Sequence, residues 1–117
     1  GDLNIAPLEN DVWSHKQLLK IVSHTPIETI SFNNLINSTD LIDAIRYKIS
    51  YEKKLFTWWS YRSKDWKKSN KGRRLDDNLV SKDLKNLIKK IEVNKELRSI
   101  ERPSDHIPVI IELDYKI

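Results

Sequence analysis

Apolar positions change their spacing from one stretch of the chain to the next, and that spacing marks out the elements. Residues 3–8 read as the end of a strand running into a turn at Pro7, and residues 10–23 as a polar loop or short helix holding Trp13, His15 and Lys16. Thr25-Pro26-Ile27-Glu28 sets a capping hydroxyl, a proline at the first helical position and a glutamate at the third, so a helix starts there and runs to about Asn37. Leu41, Ile42 and Ile45 predict another short helical turn, followed by a charged connection over 47–54. Aromatic residues and Thr57 dominate 55–61, which predicts a strand; neighbouring strand residues face opposite sides, so at least one of Trp58 and Trp59 is expected to be buried.

The remainder predicts a strand over 75–80, then a helix capped by Ser81 with Leu84, Leu87, Ile88 and Ile91 on its apolar face and Lys85, Lys89 and Lys90 on its solvated side. Residues 93–100 alternate as a strand would, Arg102-Pro103 forms a turn, and 109–113 is a final buried strand. This alternation describes an α/β half-sandwich. One interruption stands out: Asp76-Asp77-Asn78 falls inside the strand that begins at Leu75, where three polar residues are costly unless some of them have work to do.

With 117 residues, 38% of them hydrophobic, the chain suits one globular unit. It has no cysteine, so any metal would be held by oxygen or histidine nitrogen, which favours Mg or Mn over Zn. No apolar run approaches the roughly 20 residues that span a bilayer, and no charged leader precedes an apolar core, so no membrane association is expected and a reducing cytoplasm is the default location. The chain lacks methionine and opens directly on Gly1-Asp2, which predicts an internal fragment whose preceding strand would deliver Asp2 to the rim of a sheet.

Charge sharpens the picture. Residues 62–74 contain seven basic side chains (Arg62, Lys64, Lys67, Lys68, Lys71, Arg73, Arg74) against one acid, Asp65. That segment is therefore +6 in a chain of +4 overall, which leaves −2 for the rest, so the positive charge is localised and a polyanion is the natural partner. Trp58, Trp59, Tyr61 and Trp66 precede or interleave the run, a mixture suited to stacking on bases or enclosing a sugar while lysines hold phosphates. A solvated loop and core tryptophans are the plainer account of the same residues.

Two short polar clusters complete the chemistry: Asp2 and Asn4 near the start, and Ser104-Asp105-His106 near the end. Phosphodiester hydrolysis needs a divalent metal, an oriented water and donors for charge developing on phosphoryl oxygens, and Asp, Asn and His side chains provide those functions. Each cluster lies where an apolar segment meets a loop, the usual place for a site in an α/β sheet.

Four segments in fixed order, Gly1-Asp2-Leu3-Asn4-Ile5-Ala6-Pro7, Thr57-Trp58-Trp59-Ser60-Tyr61-Arg62, Gly72-Arg73-Arg74-Leu75-Asp76 and Arg102-Pro103-Ser104-Asp105-His106, give the chain a resemblance to the C-terminal half of the exonuclease III and apurinic/apyrimidinic endonuclease family, within the endonuclease/exonuclease/phosphatase superfamily. The resemblance covers Gly1 to Leu113. It implies the second half of a four-layered α/β sandwich, a mixed sheet with flanking helices, as one fragment over 1–117. It also implies roles: Asp2 orients or deprotonates the attacking water, Asn4 binds the nucleophile and scissile phosphate, and Asp105 lies near the metal, Mg or Mn. His106 donates to the phosphoryl oxygen, and Asp76 holds that imidazole. Trp58 and Leu75 fall where the family forms a pocket for a flipped-out abasic sugar, and Trp13, Lys16, Arg62, Lys67, Lys68, Asn70 and Arg73 are the other expected DNA contacts.

Two departures accompany the resemblance. The family's principal metal-binding glutamate lies in an N-terminal half that this sequence does not include, and Asp77 and Asn78 stand where an aromatic or histidine and then an aliphatic residue are usual, which should weaken the strand. His15 and His24 match no catalytic position, and His24 reads as an ordinary loop residue. The expectation is a Mg-dependent DNA-repair nuclease that incises duplex DNA at abasic sites and trims or cleans 3′ ends, monomeric when complete and inactive as this piece alone. The alternatives are a nucleic-acid-binding fragment without catalysis, or a superfamily phosphatase or phosphodiesterase acting on small molecules or lipids.

Overall fold

A computed structural model of the chain describes residues 1–116. Its regular elements are short: helices α1 (His15–Leu18), α2 (Pro26–Ser38), α3 (Ala44–Lys48) and α4 (Trp66–Ser69), and strands β1 (Leu41–Asp43), β2 (Leu79–Ser81), β3 (Ile88–Val93) and β4 (Val109–Leu113). Strands β1 and β2 pair antiparallel, with Ile42 opposite Val80, and β3 pairs antiparallel with β4, with Ile91 opposite Ile111.

Between these sheets, residues 55–59 run extended but irregular. Thr57 and Trp58 N–H both donate to the Arg73 carbonyl (2.9 and 3.0 Å), Trp58 accepts back from Arg73 N (3.0 Å), and on the other side Ile107 N donates to Thr57 O and Trp59 N to Asp105 O. The expected strand over 55–61 is therefore a shared central ribbon, reduced to isolated bridges of Trp58 with Arg73 and His106.

The helix opening at Pro26 follows its local chemistry. Glu28 reaches back to accept from Thr25 N and Thr25 Oγ1 (3.2 and 2.6 Å), closing the first turn. Where the structure departs from the sequence reading, a distant partner is the cause. Leu41 and Ile42 are a strand because β2 lies beside them, and Asp43 then caps α3 by accepting from Arg46 N. The predicted helix over 81–91 is a 3-10 turn, Lys82–Leu87, followed by β3, since pairing with β4 outcompetes a helical period that Ile88 and Ile91 serve equally well. Residues 95–99 form a 3-10 turn in place of a strand and bury Arg98. Strand β4 is half-buried, with Ile110 on its exposed face, instead of fully enclosed. At the start, residues 3–8 form no strand: Asn4 turns at φ +54°, and only Asp2 bridges to Asp76.

Two apolar clusters flank the ribbon. Ala6, Val12, Leu18 and Leu75 form one, and Phe56, Trp59 and Ile107 the other, with half-buried Trp13 packed against both. Trp59 is the buried member of the tryptophan pair, at 2% exposure, while Trp58 keeps one face open. Gly72 lets the ribbon lie against this core: a Cβ there would meet Phe56 at 2.6 Å. His24 is not a loop residue in solvent. It is 1% exposed, with Nδ1 2.7 Å from Ala6 O and Nε2 2.7 Å from His15 Nδ1, which pins the loop before α2 to the first segment. Among the described residues, no helix is long and apolar enough to cross a membrane.

Candidate active site

Four segments far apart in sequence meet at one end of the ribbon: residues 1–4, 57–58, 73–76 and 105–107. Backbone pairing sets them side by side, Asp2 against Asp76 and Trp58 against both Arg73 and His106. A side-chain chain then crosses the seam. Thr57 Oγ1 accepts from Leu75 N and Asp76 N (3.0 and 3.2 Å) and donates to Asp76 Oδ2 at 2.7 Å. The same carboxylate oxygen lies 2.8 Å from His106 Nδ1, and His106 Nε2 lies 3.6 Å from Asp2 Oδ2. Asp2 is steadied through its other oxygen, which accepts from Asn4 N at 3.0 Å. Thr57 was not among the residues singled out in the sequence; its place directly before Trp58 in the quoted motif was the available signal.

The geometry fixes the imidazole's proton chemistry. Burial disfavours the charged ring, but the hydrogen bond and charge of Asp76, with Asp2 and Asp105 close by, outweigh it and raise the His106 pKa above the ordinary histidine value. A ring held by a carboxylate at Nδ1 and protonated at Nε2 offers one directed donor on the side of the site where Asp2 stands.

Asp105 accepts from Trp58 Nε1 at 3.0 Å, so it fixes the indole whose face lines the adjoining surface. Two open recesses share the wall formed by Trp58 and Arg73. One, of about 640 Å³, is bounded by Trp13, Trp58, Ser60, Arg62, Ser63, Lys71 and Arg73. The other, of about 400 Å³, is bounded by Asn4, Val22, Ser23, Trp58, Arg73 and Leu75. Lys71 Nζ stands 4.8 Å from the Trp13 ring centroid, and the Arg73 guanidinium 5.3 Å from that of Trp58.

The structure thus gathers Asp2, Asn4, Trp13, Trp58, Arg62, Arg73, Leu75, Asp76, Asp105 and His106 around one surface. Lys16 on α1 and Lys67 and Lys68 on α4 are exposed and line neither recess. Asn70 caps α4 in the left-handed region, and its Oδ1 accepts from Trp59 Nε1 and Lys95 Nζ, so that carboxamide oxygen serves the fold.

Beneath the site lies an ionic knot that sequence reasoning missed. Arg74 is fully buried; its Nε and Nη2 donate to both oxygens of Asp11 (2.8 and 2.9 Å), and its Nη1 and Nη2 to both oxygens of Asp43 (3.2 and 2.7 Å). Arg46 also binds Asp11, at 2.6 Å. Burial alone would lower the Arg74 pKa, but these carboxylates raise it well above normal. Asp77 is the third acid. Arg74 Nη1 lies 2.9 Å from its Oδ1 without hydrogen-bond geometry, and neither buried oxygen has a hydrogen-bond partner. Burial, only partly countered by Arg74 and reinforced by Asp43 and Asp11, pushes the Asp77 carboxyl up to about 7.

Among the described residues, Asp2, Asp76 and His106 bring ligand-type atoms within 4.8 Å of one another. His106 directs its nitrogens at carboxylates, so what remains for an ion is carboxylate oxygen, the donor that suits Mg or Mn.

No family model matches the chain. It is 31% identical to the exodeoxyribonuclease III of Haemophilus influenzae over 93% of its own length and 42% of the relative's, and 31% identical to an exodeoxyribonuclease of Streptococcus pneumoniae over 97% and 40%. Among solved structures it is similar to the Neisseria 3′ phosphatase NExo bound to product DNA hairpin, at 33% identity and a TM-score of 0.89, and to an AP endonuclease from Archaeoglobus fulgidus, at 27% and 0.91; each match covers 98% of this chain and 44% of the other. The chain spans about two fifths of the length of these relatives, shares their α/β fold over that span, and is similar throughout its own length to exodeoxyribonucleases and AP endonucleases.

Proposed function

We propose that this chain supplies the His106 side of the active site of a metal-dependent DNA-repair nuclease that incises duplex DNA at abasic sites and removes nucleotides or blocking groups from 3′ ends. The observation behind this reading is the unbroken line Thr57, Asp76, His106, Asp2, assembled from four separate segments beside an open wall of tryptophan and arginine. In it Asp2 and Asn4 orient the attacking water, His106 donates to the phosphoryl oxygen, and Asp76 and Thr57 hold the ring in register for that donation. Asp105, as the resemblance implies, and carboxylate oxygens of Asp2 and Asp76, which lie within 4.8 Å of one another, would hold Mg or Mn. Such an ion supplies Lewis-acid charge neutralisation at the phosphate when bound. Trp13, Trp58, Arg62 and Arg73 face the nucleic acid, with Lys67 and Lys68 reaching the duplex backbone further out.

The site needs the remainder of the fold that the relatives possess, so the activity belongs to the protein containing this chain, acting as a monomer, and the 117 residues alone are inactive. Incision of a duplex oligonucleotide with one abasic analogue, with Mg and then with chelator, tests this on the full reading frame. Cleavage that needs metal and falls at least about 100-fold in His106→Ala, with duplex affinity retained, is the expected result. Undiminished turnover by that variant would remove His106 from the mechanism.

A further inference from the structure

A third recess, of about 190 Å³, adjoins the largest one: Asn70 lines it, and the next residue, Lys71, lines the other. Its apolar lining is Leu55, Phe56, Trp59 and Val93, and its remaining polar groups are Lys54 and Lys95, with no acid among them. Both ammonium groups are anchored. Lys54 Nζ donates to Trp13 O, and Lys95 Nζ donates to Asn70 Oδ1 at 3.1 Å and stands 5.5 and 5.8 Å from the ring centroids of Trp59 and Trp66. Among the described residues neither lysine pairs with a carboxylate, so each ammonium has donors to spare. Lys95 is half-buried, where an uncompensated cation is costly and an anion beside it is correspondingly favoured.

We propose that this recess is a phosphate subsite, in which Lys54 and Lys95 hold a backbone phosphate of the bound strand outside the candidate active site. The inference rests on the nuclease reading and extends its contacts to two lysines that lie outside the basic run of residues 62–74. Size argues for a single compact group, since a drug-sized ligand needs about 300–1,000 Å³. Trp59 is 2% exposed and offers no open face on which a base could stack, so the recess reads charge instead of base identity. Its neighbour supplies the rest of the strand: the carbonyl that anchors Lys54 belongs to Trp13, whose side chain lines the largest recess together with Arg62, Lys71 and Arg73. A strand lying in that recess therefore passes the mouth of this one. None of Asp2, Asp76, Asp105 and His106 lines it, so the subsite contributes to binding alone.

The test uses the full reading frame, wild type and Lys54→Gln/Lys95→Gln, with anisotropy binding in chelator to duplexes that carry an abasic analogue and one methylphosphonate, moved from phosphate to phosphate. The expected result is a position at which removing the phosphate charge weakens the wild type at least about fivefold and the double variant less than twofold. The double variant should also lower the slope of log affinity against log salt by about 0.9. Lys54→Gln alone, at an exposed side chain, carries the same comparison if the Lys95 change unfolds the protein. Equal sensitivity of both proteins at every position overturns the subsite. Inorganic phosphate that raises the unfolding midpoint of the wild type only, at matched ionic strength and with no coupled position on the duplex, makes the recess a free-phosphate site and overturns the strand assignment. Coupling in chelator sustains the subsite whether or not the protein cleaves, while cleavage with no coupled position leaves the nuclease reading standing and removes the subsite.

Discussion

Asp77 shows how one side chain can be held in a state its neighbours do not satisfy. Its carboxyl is buried against Arg74, yet the four hydrogen bonds from Arg74 go to Asp11 and Asp43. Its pKa rises from 3.8 to about 7, mainly through burial, so the folded state keeps a proton that the unfolded chain releases. Folding stability from this group is therefore complete below about pH 3.8 and is lost as pH rises toward about 7, above which the loss is constant. Asp77→Asn removes that decline. Urea unfolding across this range should show the variant gaining an advantage up to pH 7 and holding about 1–3 kcal/mol beyond it; a constant difference at every pH would contradict the assignment. The oddity of Asp76-Asp77-Asn78 was visible in the sequence, and so were Asp2, Asn4, Asp105 and His106, because each sits in a short motif. The partners of Arg74 were not, since Asp11 stands 63 positions away and Asp43 31, and no local pattern encodes such pairings.

At the level of elements, the legible parts are those whose causes are local. Helix α2 begins where a threonine, a proline and a glutamate dictate it. The stretch after Ser81 was misread because Leu84, Leu87, Ile88 and Ile91 fit a helical period, while the outcome depended on β4, some 20 residues further on. Gly72 belongs to this scale too. It lies between Lys71 and Arg73 on the wall of the larger recess, and the ribbon's approach to Phe56 leaves no room for a methyl group. Gly72→Ala should cost about 1–3 kcal/mol in denaturant unfolding, because Phe56 packs with Trp59 and Ile107 and cannot simply move aside. Wild-type stability in that variant would mean the ribbon shifts freely.

For the whole molecule, the sequence reading of charge carries further than its reading of elements. Of the basic run, Arg62, Lys71 and Arg73 stand on the recess wall and Lys67 and Lys68 on the outlying helix α4, while Arg74 is buried and neutralised by Asp11 and Asp43 and adds nothing to the surface charge. Those lysines line neither recess, and on the proposed reading they contact the duplex backbone away from the site. Replacing both with alanine in the full reading frame should reduce the slope of log affinity against log salt by about 1.8, or 0.9 per phosphate contact. An unchanged slope would take α4 out of the DNA footprint. Arg74 has a further consequence for how the molecule assembles. An arginine stripped of water is tolerable only once its carboxylates have arrived, and these come from the start of the chain and from the β1–α3 junction. The segment holding Leu75 and Asp76 is therefore tied in place by carboxylates from two other segments, so the position of the candidate site depends on Asp11 and Asp43 although neither lies in it.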